Sequence, residues 1–230
     1  MKILFNNVFE DATFTATNES LNYPVANLIH PFLHKRFQSS STSSVITASF
    51  SADQSISCFF YGYFVATAFS VVFKNSGGST LKTLTISDPE DIGVEYFTAL
   101  TTVRSVEITL TGTYLGGIGA GLCYCMPNPL AAYAADNGDN SDFTESPDGQ
   151  TLQTYIKPLR ELDYNFREIE TKKTIDDNYK LVGVGKPLYI DIYEDNRDKE
   201  DPIYGKIMRS LSFRYQPRRY STSIKIREAR

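Results

Sequence analysis

Ile56-Ser57-Cys58-Phe59-Phe60-Tyr61-Gly62-Tyr63-Phe64-Val65-Ala66-Thr67 contains no charge and no proline. β-Branched and aromatic residues dominate it, the composition of a strand buried on both faces. A buried helix of this length is the competing reading. Gly62 at mid-run and the turn residues nearby count against it. The run is the centre of Val45 to Met126, the densest apolar and aromatic part of the 230-residue chain.

Working outward, short extended segments flank this run. Val45 to Ser51 alternates apolar and polar residues, and Asp53-Gln54 is expected to turn. Ser70 to Lys74 is a strand. Asn75-Ser76-Gly77-Gly78-Ser79 is a turn whose glycines tolerate positive φ. Leu81 to Ile86 alternates, Asp88-Pro89-Glu90-Asp91 punctuates, and Val94 to Phe97 is extended. Val103 to Leu110 alternates cleanly, and Leu122 to Met126 closes the block. Eight or nine short strands with turn signals every 8–12 residues indicate a jelly-roll-like β-sandwich over residues 1–128. Before the block lie two short strands, Ile3–Phe5 and Ala12–Thr17, and a single-turn segment bracketed by Pro24 and Pro31.

Pro127-Asn128-Pro129 ends the sandwich. Residues 129–151, first Ala-rich and then rich in Asp, Asn, Gly and Ser, read as a linker or arm. Residues 152–230 read as a small antiparallel sheet with one helix. Its strands are Leu162–Arg167, Pro187–Tyr193, Ile203–Met208, Leu211–Tyr215 and Tyr220–Arg227. Its helix is Glu168–Leu181, stopped by Gly183. The fold class is therefore mainly all-β.

Composition limits function. Apolar residues make 41% and charged residues 22%, as in folded globular chains. Trp is absent, but 15 Phe and 15 Tyr favour β structure and extended contact surfaces. The net charge of −4 conceals an asymmetry. Residues 1–150 hold 6 basic and 14 acidic side chains, residues 151–230 hold 17 and 13. Opposite signs suggest two modules and charge-complementary contacts between copies. Basic residues interleaved with acids argue against a nucleic-acid footprint. The opening Met1 to Asn7 is too short an apolar run for a signal peptide, and nothing approaches the roughly 20 apolar residues of a membrane span. Folding in a cytoplasm is the expectation.

No motif carries chemistry. Cys58, Cys123 and Cys125 lack framework spacing and read as small buried hydrophobes. His30 and His34 have ligand spacing, but Pro31 lies between them and no downstream partner completes a metal site. Asp191, Glu194, Asp195, Asp198, Glu200 and Asp201 would suit calcium, yet no glycine tightens the loop; a solvated hairpin tip is the plainer reading. Asp88, Glu90 and Asp91 would pair as glycosidase carboxylates, and they fit a surface turn equally. Ser146-Pro147-Asp148-Gly149 lacks the strand–turn–helix context of a nucleophile elbow. Gly116, Gly117, Gly119 and Gly121 precede a strand, whereas a phosphate loop needs a helix there. No cofactor and no catalytic residue are expected. Arg214, Arg218, Arg219 and Tyr220, with Arg227 and Arg230, form a basic aromatic patch suited to a protein interface.

Tyr23-Pro24-Val25-Ala26-Asn27-Leu28, then Pro31 and Arg36-Phe37-Gln38-Ser39, resembles the opening of discoidin-like sandwich domains in tailed-bacteriophage virion proteins, with Phe37 where that pattern has Trp. Ser105 to Thr111 resembles their late strand. Pro158-Leu159-Arg160, Gly183/Pro187/Leu188/Asp191, Tyr204-Gly205-Lys206-Ile207 and Arg219-Tyr220 through Glu228-Ala229-Arg230 resemble the closing part of phage tail or baseplate proteins. The resemblance implies a virion structural protein of a tail, baseplate or collar, assembled in the host cytoplasm as a homo-oligomeric ring with other tail proteins, and not an enzyme. Contact would fall to Arg214, Arg218, Arg219, Tyr220, Tyr204, Tyr133 and Phe143. The second expectation is a carbohydrate-binding module attaching to host glycan, which exposed Tyr61, Tyr63, Tyr96 or Tyr114 at one end would favour.

Overall fold

The computed structural model describes residues 1–30, 35–87, 92–125, 134–138, 142–145, 151–154, 159–169, 172–183, 186–191, 202–208, 214–216 and 219–228. The chain divides into two units. Unit 1 comprises Met1–Met126 and Leu188–Ile203; unit 2 comprises Pro127–Pro187 and Tyr204–Arg230. Among the described residues the fold is mainly antiparallel β with one short α-helix.

Unit 1 is a β-sandwich made largely by two very long strands, β4 (Ser43–Lys74) and β6 (Ile92–Gly121), with β1 (Lys2–Leu4), β2 (Thr13–Ala16), β3 (Phe37–Gln38) and β5 (Thr80–Ser87) around them. Both long strands bend and pass from one layer to the other. Residues 105–111 of β6 lie between two parts of β4, pairing with Ser43–Ser49 on one side and Ala68–Lys74 on the other. β2 extends this layer beyond Ser49 and β5 beyond Lys74. In the second layer, Cys58 to Gly62 lies between Ile92–Tyr96 and Gly117–Gly121, and β3 borders it through Phe37↔Leu115 and Gln38↔Tyr114.

The expectation of eight or nine separate short strands is thus corrected in form. Asp53-Gln54, expected to turn, does not reverse the chain. Register shifts at Ser49/Gln54, Gln54/Ile56 and Val65/Ala66 bend it instead, as bulges do where a strand changes sheet. At Gly112 the strands cross closely: a Cβ there would lie 2.4 Å from the Ala66 Cα and the Val65 carbonyl oxygen. Asn75-Ser79 is the genuine hairpin. The Asn75 Oδ1 accepts from the backbone N–H of Gly77 and of Ser79, both at 3.0 Å.

Part of the central run, Cys58 to Gly62, is buried on both faces, whereas Val65 and Thr67 further along are exposed. Phe59 and Tyr61 point between the layers, where Phe59 meets Phe9, Phe69 and Phe73. Phe60 points outward, yet it is fully buried. Its cover is a small ladder in which β1 pairs on one side with β7 (Tyr124–Cys125) and on the other with β12 (Pro187–Asp191). Tyr189 stacks on Phe60 at 5.0 Å between ring centroids. Gly119 makes this possible, since a Cβ there would stand 2.5 Å from the Tyr189 ring. Residues 188–191, which the sequence reading assigns to the C-terminal module, therefore complete unit 1.

Unit 2 is built on β11 (Leu159–Ile169), which pairs with β8 (Ala134–Gly138) and with β15 (Arg219–Glu228). β15 also pairs with residues 205–207 of β13 (Ile203–Ile207) and forms a hairpin with β14 (Arg214–Gln216). β9 (Asp142–Glu145) and β10 (Thr151–Thr154) form a separate hairpin. Residues 129–151, read as a linker, thus contain strands. The helix, α1 (Lys172–Val182), starts later than expected, because Glu168 and Ile169 remain in β11 after a bulge past Phe166. Lys180 pairs with Asp176 at 2.8 Å, and the Gly183 N–H closes the last turn on the Tyr179 carbonyl at 2.7 Å.

Candidate functional site

Two places in unit 1 gather polar and aromatic side chains from segments distant in sequence. The first lies on the surface. Residues 20–23 ride on the edge of β3: the Ser20 N–H donates to the Gln38 carbonyl at 3.0 Å and the Gln38 N–H to the Tyr23 carbonyl at 3.1 Å. Next comes a 3-10 turn at Val25–Ile29, with Val25 and Leu28 buried. The Asn27 side chain donates to the Arg36 carbonyl at 3.0 Å. These bonds fix the backbone at Arg36, whose side chain lies near two rings. Its guanidinium carbon stands 3.9 Å from the centre of the Tyr114 ring and 5.9 Å from that of Tyr23, within cation–π range of both. Gln38, Tyr114 and Val65 form one row across three strands. Apolar surface adjoins the stack: Val65 is 51% exposed, Tyr23 37% and Leu21 fully exposed. A planar donor fork on aromatic and apolar surface can hydrogen-bond to a ligand's rim while the apolar surface packs on its face.

The second place is interior. Lys2 and Asp191 are directly opposed in the β1–β12 ladder, an opposite-charge cross-strand pair. The Tyr96 hydroxyl donates to Asp191 Oδ2 at 2.8 Å, and the Lys2 ammonium lies 3.7 Å from the Tyr96 ring centre. Asp191 is 1% exposed, and its Oδ1 has no hydrogen-bond partner. Burial first, and the Asp191 carboxylate second, push the Tyr96 hydroxyl far above the ordinary tyrosine range. Beside it the Cys123 thiol donates to the Cys58 sulfur at 2.7 Å, and the Cys58 thiol to the Gly121 carbonyl at 3.3 Å. The bond to Cys58, then burial, raise the Cys123 thiol well above its usual range.

Among the aromatic residues expected at an exposed end, Tyr61 is buried and Tyr96 is engaged by Asp191. Tyr63 is placed only by its backbone, in β4. Tyr114 is half-buried at the surface, joined by Tyr23 and Arg36. Sequence reading missed that pairing because 78 positions separate Arg36 from Tyr114. Of the expected interface residues, Tyr204 is buried. The β14–β15 hairpin brings the backbones of Arg214, Arg219 and Tyr220 together through Arg214↔Ser221, Tyr215↔Tyr220 and Gln216↔Arg219. Phe143 faces Gln153 across β9–β10. Tyr133, Arg218, Arg230, His34, Asp88, Glu90, Asp91, Ser146–Gly149, Glu194, Asp195, Asp198, Glu200 and Asp201 lie outside the described residues. Cys58 is buried as read from sequence, whereas Cys125 is exposed. Gly116 to Gly121 is strand and leads next into β7, not into a helix. Among the described residues no three His, Cys, Asp or Glu side chains gather as a metal site, and no helix is long and apolar enough to cross a membrane.

No family model and no curated protein matches the chain. Similar solved structures include carbohydrate-binding and lectin domains. A chitosan-binding module from a chitosanase/glucanase of Paenibacillus sp. IK-5 is 17% identical, with 50% of this chain and 98% of that one covered, at a TM-score of 0.43. A fucose-binding module of Streptococcus pneumoniae is 10% identical, covering 50% and 94%, at 0.45. The lectin domain of lectinolysin complexed with Lewis B antigen is 9% identical, covering 50% and 95%, at 0.43.

Proposed function

We propose that this chain is a non-catalytic binding protein whose unit 1 takes carbohydrate on the face formed by Tyr23, Arg36 and Tyr114, flanked by Leu21 and Val65. The observation that carries this reading is a guanidinium 3.9 Å over the Tyr114 ring and 5.9 Å from that of Tyr23 on a surface that also exposes Val65 and Leu21. Sugar rings offer C–H faces that pack on aromatic and aliphatic surface, and a rim of hydroxyls that accept from a guanidinium. A uronic acid carboxylate would accept from the same fork in bidentate fashion. The reading stands on that stack and not on the likeness to the carbohydrate-binding modules. An array of neutral and uronate-containing glycans, probed with the full chain, tests it: a defined subset is expected to bind, and Tyr114→Ala is expected to abolish that signal. An array without specific signal overturns the reading.

The second reading is a structural component of a phage tail, baseplate or collar. The residues that resemble the virion sandwiches are joined here as one piece: the turn at Val25–Ile29 is tied through Asn27 to Arg36, and Phe37 fills the core position next to it. The hairpin carrying Arg214, Arg219 and Tyr220 would serve as the contact to neighbouring subunits in a ring. The two readings are compatible, since a tail component can also touch host glycan. Electron microscopy of purified particles labelled with an antibody to this chain tests the second. Absence of label from the particles counts against it.

A further inference from the structure

We propose that Cys58 and Cys123 form a dithiol that closes to an intramolecular disulfide by exchange with a low-molecular-weight disulfide, stapling the centre of β4 to the segment that leaves β6. All three thiols are free, and the sulfurs of Cys58 and Cys123 stand 2.7 Å apart. The backbone already brings the two positions together. Cys58 faces Gly121 across the β4–β6 ladder. Two residues further on, the Cys123 N–H donates to the Ser57 hydroxyl at 3.3 Å. Closure therefore needs a side-chain adjustment and no rearrangement of strands.

Accessibility sets the order of events. Cys58 is wholly buried, whereas Cys123 is half-buried and can be reached from solvent. The Cys123 thiol gives its proton to water, and its thiolate attacks one sulfur of the external disulfide. A sulfur–sulfur bond forms to Cys123, and the first external thiolate leaves. Cys58 then loses its proton and attacks the Cys123 sulfur of this mixed disulfide, expelling the second external thiolate. Two protein thiols are oxidised, one external disulfide is reduced to two thiols, and the released thiolates take up the two protons. The raised Cys123 thiol makes the first attack slow, so closure follows sustained exposure to an oxidising medium.

The ring so closed contains β5, β6 and the bend of β4 at Val65/Ala66. A cross-link over so long a segment restricts the unfolded chain strongly. The test uses the full chain, purified with reductant and then held in excess oxidised glutathione. It is then denatured, alkylated and mapped by mass spectrometry without reduction. Two of the three thiols are expected to be lost to alkylation, with one peptide pair joining Cys58 to Cys123. An upward shift in Tm that dithiothreitol reverses is also expected. Cys125→Ser is expected to give the same link, and Cys123→Ser to lose both link and shift. Full alkylation of all three thiols, a lasting glutathione adduct on Cys123, or a link through Cys125 overturns the proposal.

Discussion

Asp191 shows how a single buried carboxylate is tolerated inside an apolar layer. Its charge is opposed by Lys2 on the neighbouring strand, and one oxygen accepts from Tyr96 at 2.8 Å. The other oxygen is unpaired, so the group depends heavily on the single hydroxyl. Tyr96→Phe removes that donor and is expected to cost about 1–3 kcal/mol, the penalty of an unmade buried hydrogen bond, measured as a lower urea midpoint with unchanged slope. The raised Tyr96 hydroxyl also fixes a pH dependence. Its folded-state pKa lies above the ordinary 10.0, so its contribution is complete below pH 10.0 and is lost progressively as pH climbs beyond it. The wild-type chain should therefore lose stability on the alkaline side, and Tyr96→Phe should show a shallower loss there. Equal alkaline slopes would show that Tyr96 does not control this limb.

At the scale of elements, the second layer of the sandwich depends on what covers its outer side. Gly119 leaves room for the Tyr189 ring, which in turn covers Phe60. Gly119→Ala places a methyl 2.5 Å from that ring and is expected to destabilise by about 1–3 kcal/mol through overpacking. Pairing it with Tyr189→Ala should recover part of the loss in a double-mutant cycle; strictly additive losses would refute the contact. This layer also shows what sequence reveals. The uncharged run 56–67 signals burial on both faces, which Cys58 to Gly62 shows and the exposed Val65 and Thr67 do not; Val103 to Leu110 signals a strand and Asn75 to Ser79 a hairpin. Those signals are local, in composition and alternation. The covering strand is not, because residues 188–191 return to β1 from the far end of the chain. Asp53-Gln54 looks like a turn because polar residues mark bends and turns alike, and only pairing partners distinguish a corner from a reversal. The Arg36 stack was hidden for the same reason: each of its members is unremarkable within its own segment.

For the whole molecule, unit 1 is discontinuous in sequence, so the sandwich is incomplete without residues 188–191. A chain ended at Met126 lacks β12 and exposes the layer formed by Leu4, Phe60 and Gly119. It is expected to bind a hydrophobic dye and to unfold at a lower temperature than the full chain in the same buffer. A fragment as stable as the full chain would contradict the role given to β12. For this reason ligand binding has to be measured on the full chain. The central claim, that the Tyr23–Arg36–Tyr114 face takes carbohydrate, is tested most directly by calorimetric titration of wild type, Arg36→Ala and Tyr114→Ala with the glycan selected on the array. The account predicts a saturable wild-type isotherm and at least about tenfold weaker binding in each variant, roughly 1.4 kcal/mol or more, with thermal stability near that of the wild type. Wild-type affinity retained in both folded variants would contradict it.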